Sequence, residues 1–247
     1  MKQVSLLRSL LITDPLVILA TFCFGSVNLV VSFFDPSGRV QVSIARGWSR
    51  ALLLIGGVNL QLHGAGGIAP EGSYVFSANH LSYMDTPVVL AAIPVQFRFL
   101  AKSGLFKIPL LGHHLKRAGH IPVPREDARA AIKTMAVAAD VIRSRGISLL
   151  VFPEGGRSLD GELQDFREGA AYIAIRAGVP LVPVAIKGTR EVLPMGSANI
   201  RAGVVQVWVG DPIPTVGLTL RDRARVTEES RRQIAAMLAG EAAKIHA

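Results

Sequence analysis

The twenty residues "PLVILATFCFGSVNLVVSFF", positions 15 to 34, carry no charge. A helix of that length rises about 30 Å, the depth of a bilayer's hydrocarbon core, so this run says where the chain resides before it says how the rest folds. Gly25, Ser26 and Asn28 interrupt its centre, Asp14 stands directly before it and no A-x-A site follows, a pattern of a retained anchor rather than a cleaved leader. The next stretch, "VQVSIARGWSRALLLIGGVNL", sets Ile44, Trp48, Leu52 and Ile55 at three- and four-residue steps, with Arg46, Ser49 and Arg50 elsewhere on the wheel. That spacing suits a helix lying in the membrane interface. Lys2 and Arg8 precede the apolar run and Arg39, Arg46 and Arg50 follow it, so the charges do not orient it. A hairpin dipping into one leaflet and a true span both fit.

The rest of the composition agrees with a membrane setting. Half of the 247 residues are hydrophobic and mean hydropathy is +0.39, too apolar for a typical soluble enzyme of this size. The formal charge of +9 asks for an anionic partner. Nucleic acid is excluded, because the basic residues are spread thinly with few aromatics among them, whereas single strands are held on aromatic platforms beside a basic groove. An anionic membrane surface, phospholipid headgroups or a phosphorylated thioester carrier suit the charge better. Cys23 is the single cysteine; it precludes an internal disulfide and reads as a small buried or lipid-facing side chain. No Cys/His cluster has metal-ligand spacing, and no metal or other cofactor is expected.

From residue 58 the texture becomes short strands between helices. "VNLQLHG", "SYVFSAN", "QFRFLA", "ISLLVFP", "PLVPVAI" and "VVQVWVG" read as β segments. "DARAAIKTMAVAADVIRSRG" reads as a helix ended by Gly146, and "TEESRRQIAAMLAGEAAKIHA" as a helix opened by acidic residues. The expectation is an α/β fold, a mixed sheet flanked by helices, over residues 58–247, behind an N-terminal membrane-associated helical hairpin over residues 1–57.

Within "SANHLSYMDTP", residues 77 to 87, His80 and Asp85 stand five apart behind an apolar strand. Five steps turn about 500° around an α-helix, so the two cannot share a regular helical face. Contact requires His80 on the loop after the strand and Asp85 in the first turn of the next helix. An imidazole so placed, with a carboxylate fixing its tautomer, is what a general base needs. The plainer reading is a histidine packed at a strand end beside a helix-initiating aspartate, and the spacing alone favours that one.

Three further segments change the balance. "ISLLVFPEGGRSLDG" runs a buried-type strand into Pro153, Glu154, Gly155, Gly156 and Arg157, a tight turn carrying a cation able to grip phosphate in bidentate fashion. "GHIPVPRED" ends another β-like segment at Arg125, and "LVPVAIKG" places Pro183 in an apolar strand, a sign of an edge or a bulge. Taken in order, His-x4-Asp, an arginine about forty-five residues on, F-P-E-G-x-R-S and V-P-V-A-I resemble the four blocks of the glycerolipid acyltransferase family, of the 1-acyl-sn-glycerol-3-phosphate acyltransferase type. "FLAKSGLFKIPLLG" and "DFREGAAYIAIRAGVP" are similar to the family's connecting segments. The resemblance covers about residues 72 to 190.

What the resemblance implies is a direct attack. His80, oriented by Asp85, takes the proton from the free hydroxyl of a lysolipid, which attacks an acyl thioester held on coenzyme A or acyl carrier protein. Arg125 and Arg157 bind the acceptor's phosphate, Glu154 fixes an arginine or an acceptor hydroxyl, and Gly155 lets the backbone approach. Asn79, Ser82, Lys102 and Pro183 lie in or beside the blocks as supporting residues. Localisation on the cytoplasmic face of a bacterial inner membrane is the corresponding expectation. Two departures stand out: the family usually has Thr at the position of Gly156, and an acid or Asn at that of Pro124. Both put the identity of the acceptor in doubt more than the reaction, and leave another lysolipid, such as a lyso-aminolipid, as an alternative. A membrane-bound thioesterase with water as the acceptor is a second alternative, a serine hydrolase is disfavoured by the lack of Gly-x-Ser-x-Gly, and a non-enzymatic basic membrane module is a third.

Overall fold

The fold is taken from a computed structural model that describes residues 6–64, 67–124 and 126–240. Its seven strands are β1 (Val58–His63), β2 (Val75–Ala78), β3 (Phe97–Lys102), β4 (Ile121–Val123), β5 (Ser148–Val151), β6 (Leu181–Lys187) and β7 (Gly203–Val209). They form one sheet in the order β1-β7-β6-β2-β5-β3-β4. All neighbours run parallel except β6 and β7, which is the mixed sheet expected. The helices are α1 (Asp14–Val31), α2 (Arg39–Gly56), α3 (Asp85–Ala92), α4 (Leu111–Arg117), α5 (Ala128–Arg145), α6 (Gly169–Ala177), α7 (Thr189–Val192) and α8 (Arg223–Leu238).

The central strands are apolar on both faces because helices cover both. Phe76, Phe97, Val182 and Val184 pack with Val88 of α3 and Leu53 of α2 on one side. Val75 and Leu149 pack with Ile142 of α5 and Ile173 of α6 on the other. Asp127 accepts from the backbone N–H groups of Arg129 and Ala130 to open α5, and Gly146 closes it at φ +60°, a conformation that costs glycine nothing. The last helix begins earlier than its acidic stretch suggests: Thr219 and Asp222 form a capping box on the short turn that feeds Arg223.

Pro183 sits in an internal strand, not at an edge. Its neighbour β2 loses no bond, because the Pro183 carbonyl faces the other way and accepts Gly210 N–H at 2.8 Å. On that side the pairing slips by one residue, from Val184 opposite Val209 to Leu181 opposite Ile213. The proline therefore marks a bulge, the other outcome its presence allows.

The N-terminal hairpin is seated on the sheet domain rather than beside it. α1 is part of a continuous 26-residue helix, Leu6–Val31, of mean hydropathy 1.9. It packs along α2, where Asn28 Nδ2 donates to the Gln41 carbonyl and Trp48 Nε1 to Thr21 Oγ1. The sequence suggests that α2 floats in the interface, but Val42, Leu52 and Leu53 are buried and its other face covers α3 and β1. Arg46 donates to the carbonyls of Ile93, Pro94 and Val95 just past the end of α3. At the tip of the hairpin the buried Arg98 of β3 donates to the Ser37 carbonyl at 3.0 Å. At the start of α1, Ser9 Oγ accepts from Ile200 N–H and lies within bonding distance of the Ala198 carbonyl. Both ends and the tip are thus tied to one domain. Outward, Phe22, Val27, Val30, Phe33, Phe34 and Leu54 stand exposed, and so does Cys23.

Candidate active site

In a sheet of parallel strands, the loops that leave the carboxyl ends of neighbouring strands meet over one edge. β2 and β5 are parallel neighbours, so the loop carrying His80 and the loop carrying Glu154 to Ser158 lie side by side. Asp85 opens α3 with its carboxylate facing back across the loop. Its Oδ2 lies 2.7 Å from His80 Nδ1 and also accepts the backbone N–H groups of Leu81, at 2.6 Å, and Ser82, at 2.9 Å. With a carboxylate oxygen already facing two donors, the ring nitrogen beside it carries its hydrogen. His80 Nε2 is then left with a lone pair. Asp85 is fully buried and His80 is 7% exposed, so this pair sits in a shielded place.

The imidazole is held from a second direction. His80 stacks on Phe152 with ring centroids 4.0 Å apart and 14° between planes. Glu154 Oε1 accepts the His80 backbone N–H at 2.6 Å, while Glu154 Oε2 accepts from Gln164 N–H. Burial pushes the Glu154 carboxyl up, and those two N–H groups pull against it. Glu154 therefore holds the histidine loop, where the sequence suggests an arginine or an acceptor hydroxyl as its partner; no arginine pairs with it among the described residues. Ser158 N–H closes the link by donating to the His80 carbonyl at 2.9 Å.

Arg157 rises on the same loop with its guanidinium carbon 3.8 Å from the centroid of the Tyr83 ring. No carboxylate pairs with it among the described residues, and its Nε is buried without a partner. A cation stacked on an aromatic face and free of a counter-charge is disposed to receive an anion. Gly155 has φ +76°, and a Cβ there would meet Arg167 Nε at 2.9 Å, whereas nothing lies within 4 Å of a Cβ on Gly156. The first glycine is thus demanded by the turn, and the second leaves open space beside Arg157.

The remaining sequence-predicted residues divide. Asn79 bridges strands, accepting Ile186 N–H and donating to its carbonyl. Ser82 donates to the Leu193 carbonyl and accepts Met84 N–H, so both shape the loop. Lys102, at the end of β3, is exposed and 3.8 Å from Glu126. Pro183 is buried beside Ser77 of β2. Arg125 lies outside the described residues. Tyr83 and Phe152 were not singled out in the sequence, although both adjoin residues that were; only the fold brings one ring under Arg157 and the other under His80.

Phe152 is also stacked at 6.5 Å on Phe99, and Phe99 lines a cavity of about 480 Å³ between the sheet domain and the hairpin. Thr86, next to Asp85, lines it at one end, and Phe24, Leu29, Val42 and Trp48 supply walls from both hairpin helices. Most of its lining residues are apolar.

Residues 59–187 match the family model Acyltransferase. The chain is 36% identical over 140 residues to a chloroplastic 1-acyl-sn-glycerol-3-phosphate acyltransferase of Brassica napus, a match covering 56% of this chain and 40% of that one. It is 29% identical over 175 residues to 1-acyl-sn-glycerol-3-phosphate acyltransferase alpha of Homo sapiens, covering 71% of this chain and 62% of that one. The chain thus spans less than two thirds of the length of these relatives. The crystal structure of the 1-acyl-sn-glycerophosphate acyltransferase PlsC from Thermotoga maritima superposes with a TM-score of 0.79 at 25% identity, over 97% of this chain and 98% of that one.

Proposed function

The chain belongs to the acyltransferase family, and from that premise we propose that it moves a fatty acyl group from an acyl thioester to the free hydroxyl of a lysolipid. The acceptor that suits it first is 1-acyl-sn-glycerol-3-phosphate, giving phosphatidic acid. One observation carries the chemistry: the 2.7 Å contact of His80 Nδ1 with the buried Asp85 carboxylate, which leaves Nε2 to take the hydroxyl proton. The hydroxyl oxygen then attacks the thioester carbonyl, the C–S bond breaks, and the thiolate leaves without much acid assistance because a thiol is acidic, with a pKa of about 8.5; the proton held on His80 passes to that thiolate. Arg157 on Tyr83 supports a phosphate-bearing acceptor, and Arg125 is proposed as its companion. Coenzyme A and acyl carrier protein are both suitable donors. The relatives' names support the acceptor; the cavity under the hairpin supports an acyl chain lying there.

The outward apolar face of the hairpin supports residence in one leaflet of a membrane. A helix tied to the sheet domain at its start, through Ser9, and packed along α2, which is itself seated on that domain, has no free half to cross a bilayer. We therefore read residues 1–57 as a monotopic anchor rather than a span. The test of the function is transfer by the purified protein in lipid nanodiscs, following thiol release from acyl-CoA across a panel of lysolipids. Phosphatidic acid formed from lysophosphatidate upholds the reading. Thiol release at an unchanged rate without any lysolipid would replace it with a thioesterase.

A further inference from the structure

Two residues that line the cavity under the hairpin each bury an amide oxygen with no hydrogen-bond partner. Asn28 and Gln41 line that cavity, are 4% and 0% exposed, and leave Asn28 Oδ1 and Gln41 Oε1 unbonded. Their orientations are not arbitrary. Asn28 Nδ2 donates to the Gln41 carbonyl at 3.1 Å, and Gln41 Nε2 to the carbonyls of Asp35 and Arg117 at 3.4 and 3.3 Å. Turning either amide over would point an oxygen at a carbonyl, so the acceptors are the atoms left free. A buried acceptor without a donor has lost its water with nothing in exchange, and a slot meant only for hydrocarbon would place Leu or Val here.

The same cavity carries a fixed donor. His120 Nδ1 accepts Phe99 N–H at 3.0 Å, which leaves Nε2 bearing the hydrogen, and His120 lines the cavity three residues beyond Arg117. Burial first, then the charge of Arg98, pushes His120 down to about 3, so the ring is neutral and keeps this tautomer. Asn28 and Gln41 sit toward the end remote from the reacting pair, while His120 lies between, beside the Phe99 ring that stacks on Phe152 and through it on His80. Thr86 marks the carboxyl edge of the sheet, whereas Gln41 is bonded to Asp35 and Arg117, near Arg98 at the start of β3. Asn28 is seven residues, about 10 Å, along α1 from Thr21.

We infer that the far end of this cavity binds a hydroxyl group carried on the acyl chain, donated to Asn28 Oδ1 or Gln41 Oε1, so that the preferred acyl group is a hydroxylated one. A hydroxyl is the smallest group that supplies the missing donor and can also accept from a neutral imidazole. The inference rests on the reading of the cavity as the acyl slot and adds a substrate class to it.

The experiment compares matched acyl-CoA pairs of equal chain length, with and without one hydroxyl placed at successive carbons from the middle of the chain to its end. At one position the hydroxylated donor should win by about tenfold in kcat/KM. Asn28→Leu should collapse that ratio toward one. Equal rates at every position, or a preference for the plain chain throughout, overturn the inference and leave a bound water as the amides' partner. Binding of the corresponding free fatty acids, by displacement of a fluorescent fatty acid, separates the two readings. If no donor is turned over, the acyltransferase assignment fails, and the binding ratio alone decides whether the cavity selects a hydroxyl. An unstable Asn28→Leu variant changes nothing, because the wild-type ratio is the deciding number.

Discussion

The two edges of the sheet hold their buried polar side chains differently, although each leaves an oxygen without a donor, Asp85 Oδ1 at one and the Asn28 and Gln41 oxygens at the other. At the carboxyl edge, one Asp85 oxygen faces three donors, and the His80 backbone is clasped from both sides by Glu154 and Ser158. At the amino edge, under the hairpin, Gln41 and Asn28 spend their N–H groups on carbonyls and leave oxygens bare. The first arrangement fixes a tautomer before substrate arrives, which is what proton transfer needs. The second is incomplete until something enters. On the proposed function the first edge reacts, and on the further inference the second selects.

If that contrast holds, damage at the carboxyl edge destroys rate and damage at the amino edge does not. The largest effect is expected from His80→Ala, which should lower kcat by about 10²- to 10⁴-fold with the melting temperature nearly unchanged. Asp85→Asn should lose activity too, because an amide can present Nδ2 to the ring and favour the other tautomer. Near wild-type turnover in His80→Ala would remove the reacting role from this edge.

Next comes the seam that joins hairpin to sheet. Arg46 caps three consecutive carbonyls after α3, and charge-assisted bonds of that kind contribute roughly 1.5–3 kcal/mol each before geometry is discounted. Arg46→Met should lower the melting temperature by several degrees, by the scaling for a domain of this size, and raise protease cleavage in the hairpin. An Arg46→Met protein that melts like wild type would show the hairpin to be held by its apolar face alone.

A smaller effect is expected at Arg157. Arg157→Ala should raise KM for a phosphate-bearing lysolipid by about tenfold and leave KM for the donor alone, with Lys a partial rescue. Tyr83→Leu should move the same parameter by less, since an exposed cation–π contact is worth about 0.5–1 kcal/mol. Equal weakening toward both substrates would reassign Arg157 to holding the loop.

The sequence reaches the carboxyl edge much better than the amino edge, for a physical reason. His80, Asp85, Glu154 and Arg157 are picked out in two short segments by the resemblance of those segments to the family's blocks, and each segment follows a strand whose apolar run is visible. Even there the partner of Glu154 was not legible: His80 N–H is 74 positions away in sequence, and a carboxylate's choice among donors depends on distances that no spacing encodes. At the amino edge almost everything is long-range. Gln41 meets Arg117 across 76 positions and Arg98 meets Ser37 across 61. Arg98 does leave a trace, as a lone charge inside the apolar "QFRFLA", but nothing in the string says that the hairpin's tip turns back to cover it. The amphipathic pattern of α2 was visible and suggests a membrane partner, because periodicity reports that a face is apolar without saying what covers it.

The smallest expected effect separates the edges by pH. His120, which lines the cavity, is pushed down to about 3 from 6.5 in the folded chain, by burial first and by the charges of Arg98 and His114 next. Unfolding restores the ordinary value, so between those limits the unfolded chain binds more protons, and stability falls as the pH drops below 6.5. The slope is at most about 1.4 kcal/mol per pH unit for one site. His114, also lowered by burial and by His113, adds to it with the same sign. His120→Asn keeps an acceptor for Phe99 N–H and removes the titration. The wild-type protein in detergent should therefore lose several degrees of melting temperature between pH 7 and pH 5, and His120→Asn should lose fewer. A substitution that leaves the slope intact would mean that the acid sensitivity comes from elsewhere in the chain, and that the amino edge is more open to water than its unpaired amides imply.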